Sequence, residues 1–313
     1  MIVVCGEALV DFTPTHIGDN EAYIPRAGGS PLNVAVALAR LEAPPAFLGR
    51  LSLDFFGQFL RRQLLLNNVD LRYVSEGPEL SPLAFVHVER GAEPAYRFYL
   101  ENSADRMLLP EHLPPAFPSE VQALHFGSLS LVLEPGASTL EACMRHERGR
   151  RVISLDPNIR PGVIGDRETY LQRLDGWLRQ ADIVKVSVAD LAWLHPGQAP
   201  ERIAGAWLGL GPTLVAVTSG VDGCAGFTRE QTVRLPGVAV EVVDTVGAGD
   251  AFMAGVLAAL HHRGWLARDR LAELTSSEMM EVLRFANRAS ALACTRAGAD
   301  PPYRREVDGD SRR

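Results

Sequence analysis

One amino acid is nearly missing from this chain of 313 residues: of 31 basic side chains only Lys185 is a lysine, and the rest are arginines. A Walker A phosphate loop needs a Gly-Lys pair at its turn, whereas Lys185 follows Val184 inside a β-branched run. Nucleotide chemistry here must therefore proceed without a P-loop. Cysteine is also scarce. Cys5, Cys143, Cys224 and Cys294 are far apart and show no C-x-x-C or Cys/His spacing, so zinc and redox motifs find no support and a reducing cytoplasm is expected. Positive charge is in deficit, with 38 acidic residues and a formal charge of −7, which argues against non-specific binding to nucleic acid or an anionic membrane. No apolar run approaches the ~20 residues needed to span a bilayer. The first residues, MIVVCGEALVDF, lack the basic start of a signal peptide. Linkers rich in Gly, Ser or Pro and internal repeats are absent too, so one domain over 1–313 is expected. Residues 304–313 have little to bury and read as a frayed tail.

What is present is alternation. Short β-branched runs at 2–5, 123–126, 152–155, 182–186, 213–217 and 238–243 are separated by segments of helical period such as 32–41, 168–180 and 200–208. That order predicts an α/β fold, a mostly parallel sheet flanked by helices on both faces. Residues 82–101 break the pattern as two strands joined by a turn containing Gly91 and Pro94. Together with 12–26 they predict a small β-strand lid across the main sheet.

Two stretches carry candidate chemistry. In AGGSPLNVAVALARL, from Ala27 to Leu41, Gly28 and Gly29 permit tight backbone, Ser30 suits an N-cap and Pro31 the first helical position. This reads as a well-punctuated helix start. However, Asn33 in the first turn of so apolar a helix requires a partner. In EVVDTVGAGDAF, from Glu241 to Phe252, Gly247, Ala248 and Gly249 can direct N–H groups toward one point at the positive end of a helix, which is an anion hole. Asp250 beside it is placed either to cap the helix or to take a proton from a hydroxyl. A dinucleotide fingerprint fails because Phe252 stands where G-x-G-x-x-G needs glycine.

Taken together, GGSPLN near residue 30 and DTVGAGD near residue 250 resemble the paired signatures of the ribokinase-like (PfkB) family of sugar kinases. GEALVDF, DPNIRP, VTSGVDG and ANRASALACTRAGA extend the similarity over nearly the whole chain. The resemblance implies phosphoryl transfer from ATP to a sugar hydroxyl. Asp250 would be the general base, and the amides of Gly247, Ala248 and Gly249 would face the transferring group. It implies a sugar held by Asp11, Gly28, Gly29, Asn33 and Arg160, with Arg97 and Phe98 of the lid closing over it. It also implies an ATP site at Lys185, Ser187, Thr218, Gly220, Gly223 and Asn287. Asp190 stands where relatives commonly carry Glu and would reach the water shell of Mg²⁺. Asp244, Val246, Ala293 and Gly298 match a monovalent-cation site, with K⁺ the expected ion. A homodimer through the lid is the expected assembly.

For the substrate, the stretches near 27–41 and 46–60 are most similar to bacterial fructokinases, so D-fructose is expected. A kinase of 2-keto-3-deoxygluconate is the alternative, since Arg97 and Arg160 could meet its carboxylate; against it, Leu100 stands where such enzymes carry Arg. A non-catalytic sugar-binding or regulatory homologue should have lost Asp250, Gly247 or Gly249, and this chain keeps all three.

Overall fold

The computed structural model describes residues 1–87 and 95–309. The turn containing Gly91 and Pro94 lies outside the described residues. The strands are β1 (Ile2–Cys5), β2 (Leu9–Ile17), β3 (Asn20–Gly28), β4 (Pro45–Ser52), β5 (Asp70–Gly77), β6 (Leu83–His87), β7 (Ala95–Tyr99), β8 (Ala123–Gly127), β9 (Val152–Asp156), β10 (Ile183–Ser187), β11 (Leu214–Thr218), β12 (Cys224–Phe227) and β13 (Thr232–Leu235). The helices are α1 (Ser30–Arg40), α2 (Phe55–Leu66), α3 (Gly136–Glu147), α4 (Arg167–Leu178), α5 (Val188–Leu194), α6 (Pro200–Leu210), α7 (Ala248–His262), α8 (Arg268–Ala272), α9 (Ser276–Ala293) and α10 (Arg304–Asp308).

The main sheet runs β13-β12-β11-β10-β9-β8-β1-β4-β5 and is parallel except at β12 and β13. Side chains of each strand alternate between two cores. In β1, Ile2 and Val4 face a core shared with α1, α2, α7 and α9, whereas Val3 and Cys5 face one shared with α3, α4 and α6. Coverage on both faces explains why β1 (IVVC) is apolar and buried throughout, and the expected α/β architecture is observed. No helix of the described residues is long and apolar enough to cross a membrane.

A second sheet, β3-β2-β6-β7, forms from the segments expected to make the lid. Asp11, Tyr96 and Phe98 face the main sheet's cavity. The opposite face gathers Phe12, Tyr23, Phe85 and Tyr99, with Phe12 stacked on Phe85 at 4.6 Å.

Three expectations need correction. The run 238–243 is not a strand: Val242 and Val243 are more than half exposed, and the Val243 N–H donates to the Cys294 carbonyl at 2.8 Å. β-Branched composition alone makes no strand where no partner edge is aligned to receive it. Strands β4 and β5 fall outside the expected runs, since β4 (PAFLGRLS) contains neither Val nor Ile. The tail is not frayed from residue 304, because α10 buries Val307 against the core and Glu306 caps the helix through the Tyr303 N–H at 2.7 Å.

Candidate active site

The parallel strands β1, β8, β9, β10 and β11 end on one rim, the place where open α/β sheets bind ligands. The rim is faced by the N-terminus of α7. Gly247 takes a left-handed conformation (φ 77°) that turns the chain into this helix. The Ala248 N–H donates to the Thr245 carbonyl at 3.2 Å and so belongs to the turn. By contrast, the N–H groups of Gly247 and Gly249 meet no acceptor among the described residues. The anion hole expected here would thus rest on Gly247 and Gly249, with the helix dipole behind them. Ala248 is not a free donor as expected.

Asp250 is buried and accepts from Ser30 Oγ at 2.6 Å and Asn33 Nδ2 at 2.9 Å. These bonds answer why α1 carries polar residues in an apolar first turn. They also correct the reading of Ser30: the N-cap is Gly29, and the serine hydroxyl points across to α7 instead. A carboxylate held by two donors is oriented before any substrate arrives.

A cavity of about 510 Å³ opens beside it, lined among others by Asp11, Gly29, Asn33, Tyr96, Phe98, Arg160, Gly247, Gly249 and Asp250. Burial pushes the Asp11 carboxyl up to about 6, Arg160 opposes this and the charge of Asp250 adds to it. Gly28 sits behind the lining, where a side chain would collide with Asp11 Oδ2. Arg97 is exposed and is not among the lining residues. Strand period puts residues 96 and 98 on one face and 97 on the other, so Tyr96 fills the place expected of Arg97. Sequence reasoning also passed over Glu7, Ser128 and Asn158. The last two hold left-handed backbone at the ends of β8 and β9 (φ 59° and 41°), and both line the cavity.

A second cavity of about 450 Å³ adjoins the first at Asn158, Arg160 and Gly249. Lys185, Ser187, Asp190, Thr218, Gly220, Gly223 and Asn287 all line it, so every residue expected at the nucleotide lies on one wall system. Lys185 is buried and pairs with Asp156 at 2.8 Å. Burial works to strip its proton, but Asp156, then Asp190, outweigh that and hold the ammonium above its ordinary range. Burial raises Asp156 to about 6 against the pull of Lys185. The ammonium stands directly beside Gly249, where an added Cβ would lie 2.7 Å from Lys185 Nζ.

Asp190 accepts from the Ile159 N–H (3.1 Å), the Ser187 N–H (3.2 Å) and the Ser187 hydroxyl (2.7 Å). With three of about four lone-pair sites in use, it suits a hydrogen bond to a metal-bound water better than direct ligation. Among the described residues no group of three or more His, Cys, Asp or Glu is arranged to hold a metal ion. Asp244 clamps two loops, accepting from Val246 N–H at 3.0 Å and Gly298 N–H at 2.8 Å. Ala293 lies at the end of α9, its carbonyl accepting from the Arg296 N–H at 3.3 Å. Asp244, Val246 and Gly298 thus share one loop cluster, and Ala293 adjoins it through Cys294, whose carbonyl accepts from the Val243 N–H at 2.8 Å and the Asp244 N–H at 3.2 Å.

A family model described as pfkB family carbohydrate kinase matches residues 1–305. A fructokinase of Rhizobium leguminosarum bv. trifolii is 41% identical over 276 residues, covering 88% of this chain and 84% of the relative. A fructokinase of Xylella fastidiosa, solved with bound ATP, superposes with a TM-score of 0.91 at 30% identity, covering 98% and 97% of the two chains. One from Vibrio cholerae, solved with fructose, ADP and calcium ion, gives 0.83 at 31% identity over 95% and 94%. A double mutant of the latter was solved with fructose, ADP and potassium ion.

Proposed function

The chain belongs to the PfkB family of carbohydrate kinases, and we propose that the acceptor it phosphorylates with ATP is D-fructose, with Asp250 as the general base. The observation that carries the choice of sugar is the charge of the first cavity. Glu7, Asp11, Asp244 and Asp250 line it, and Arg160 is the one cation among its described lining residues. A neutral polyhydroxyl substrate offers donors to those carboxylates, whereas the carboxylate of 2-keto-3-deoxygluconate would be repelled by most of them. Leu100, the position where an acid-sugar kinase would carry Arg, packs with Leu9, Ala84 and Leu129 instead.

In this reading a sugar hydroxyl gives its proton to Asp250 as it attacks the terminal phosphoryl group of ATP. The N–H groups of Gly247 and Gly249 receive the charge that develops, and Lys185 supports them from behind. Tyr96 and Phe98 cover the sugar and keep water, a competing acceptor, away. When bound with the phosphates, Mg²⁺ would neutralise part of their charge, and Asp190 would hold a water of its shell. The loop cluster around Asp244 is the proposed K⁺ site, and support comes from the potassium ion of the Vibrio cholerae structure. The exposed aromatic face of the lid is the proposed surface for a second copy, which sedimentation of the wild type and Tyr99→Arg would reveal. The four free cysteines fit a cytoplasmic location.

A coupled assay of ADP formation across D-fructose, 2-keto-3-deoxygluconate, ribose, tagatose and adenosine tests the proposal. The expected result is the highest kcat/KM on fructose; a higher value on the acid sugar would overturn it.

A further inference from the structure

Away from the reacting rim, another concavity gathers charge of the sign this chain has in deficit. A cavity of about 450 Å³ lies where the end of α7 meets α9 and α10. Arg263, Arg284, Arg288 and Arg304 line it, against the carboxylates of Glu281 and Asp308. Asp250 and His262 stand toward opposite ends of α7, so at ~1.5 Å per residue this cavity is about 18 Å from the proposed base.

Two of the four arginines are neutralised in place. Arg263 pairs with Glu281, and Arg304 pairs with Glu42 at 3.2 Å and Asp308 at 3.4 Å. Arg284 and Arg288 have no carboxylate partner among the described residues: Arg284 reaches the Met280 sulfur at 3.4 Å, and Arg288 donates to the Glu306 carbonyl at 3.2 Å. They lie one turn apart on α9, a spacing at which like charges repel and weaken a helix. The Arg288 guanidinium also depends on Gly309, where a Cβ would stand 3.1 Å from Nη2.

The floor between these groups is apolar, because Val282 and Val307 are buried and Phe285 packs against the same core. Arginine's planar fork holds phosphate oxygens two at a time. A closed apolar floor under such forks suits one small molecule, with a phosphate at the rim and a short carbon body beneath. The carbonyl end of α7 opposes an anion with roughly half a charge. Four guanidiniums less two carboxylates, with His262 counted neutral, leave two positive charges, so attraction wins.

We propose that this cavity is a binding site for a small phosphomonoester, separate from the catalytic cavities, with the phosphate held by Arg284 and Arg288. Helix α9 joins it to the nucleotide cavity, since Asn287 lines one and Arg288 the other.

Calorimetric titration of the whole chain with glycerol 3-phosphate at low salt tests the assignment, with a non-hydrolysable ATP analogue saturating the nucleotide cavity. The wild type should bind one equivalent with a Kd of about 1 mM or tighter, and unphosphorylated glycerol should give no heat. Arg284→Ala, at an exposed position, should weaken binding about 10- to 100-fold and leave kcat unchanged. Arg288→Lys keeps the charge and loses the fork, so it should weaken binding about tenfold without loosening α10. A wild type that binds no glycerol 3-phosphate, equal affinity in the wild type and both variants, or binding abolished by the nucleotide analogue would overturn the proposal.

Discussion

At the scale of single residues, the site depends on what is withheld as much as on what is supplied. Gly249 lacks a Cβ where Lys185 Nζ approaches, so the lone lysine of the chain can stand behind the backbone amides without a side chain between them. Gly249→Ala should therefore lower kcat by about 10²-fold or more while the sugar KM changes little, a split measured in steady-state kinetics. A kcat near wild type would show that neither the amide nor the lysine acts on the transferring group. The sequence made the glycines and Asp250 legible because turns and helix starts have local chemistry. It could not show that Ser30 and Asn33 meet Asp250 across more than two hundred residues, since nothing local in the chain encodes that encounter. It did pose the question, because a polar residue in an apolar helix must find a partner somewhere.

At the scale of elements, the strand period decides which lid residues matter. Tyr96 and Phe98 face the cavity and Arg97 does not. Tyr96→Ala should raise the sugar KM about tenfold, and Arg97→Ala should leave it unchanged, as kinetics on fructose will show. Equal effects would mean that the lid reseats when substrate binds. The second sheet itself was legible, because two strand patterns without an intervening helix break the α/β alternation. Strand β4 was not, because a central strand buried on both faces tolerates Ala, Phe and Leu as readily as Val and Ile; β5 was not because this edge strand (DLRYVSEG) is only half-buried and its polar residues break any apolar run. The opposite error arose at 238–243, where valines lie on a surface loop with no strand beside them. Helix α10 was missed because five residues are too few for a period, and it is held by Val307 and by the cap of Glu306.

At the scale of the whole molecule, the reacting rim is built against stability. Burial raises Glu7 to about 7 and Asp11 and Asp156 to about 6, so each carboxylate is harder to ionise in the folded chain than in the unfolded one. For Glu7 the folded state binds the proton more tightly between about 4.5 and 7. The stability this provides is present below the unfolded value and lost as pH rises through the folded one. Relative to Glu7→Gln, which does not titrate there, the wild type should lose on the order of 3 kcal/mol between pH 5 and pH 8. Denaturant melts at the two pH values measure the gap, and a gap that stays constant would mean Glu7 keeps its ordinary affinity for protons. A carboxylate-rich cleft is costly to fold, and sugar hydroxyls are the ligand that would relieve it.

The most direct measurement is turnover of D-fructose and ATP by Asp250→Asn, with binding of both followed by calorimetry. Wild type should phosphorylate fructose, and the variant should bind sugar and nucleotide with little change while kcat falls by about 10²- to 10⁴-fold. A variant that turns over at the wild-type rate would contradict the assignment of Asp250 as the base.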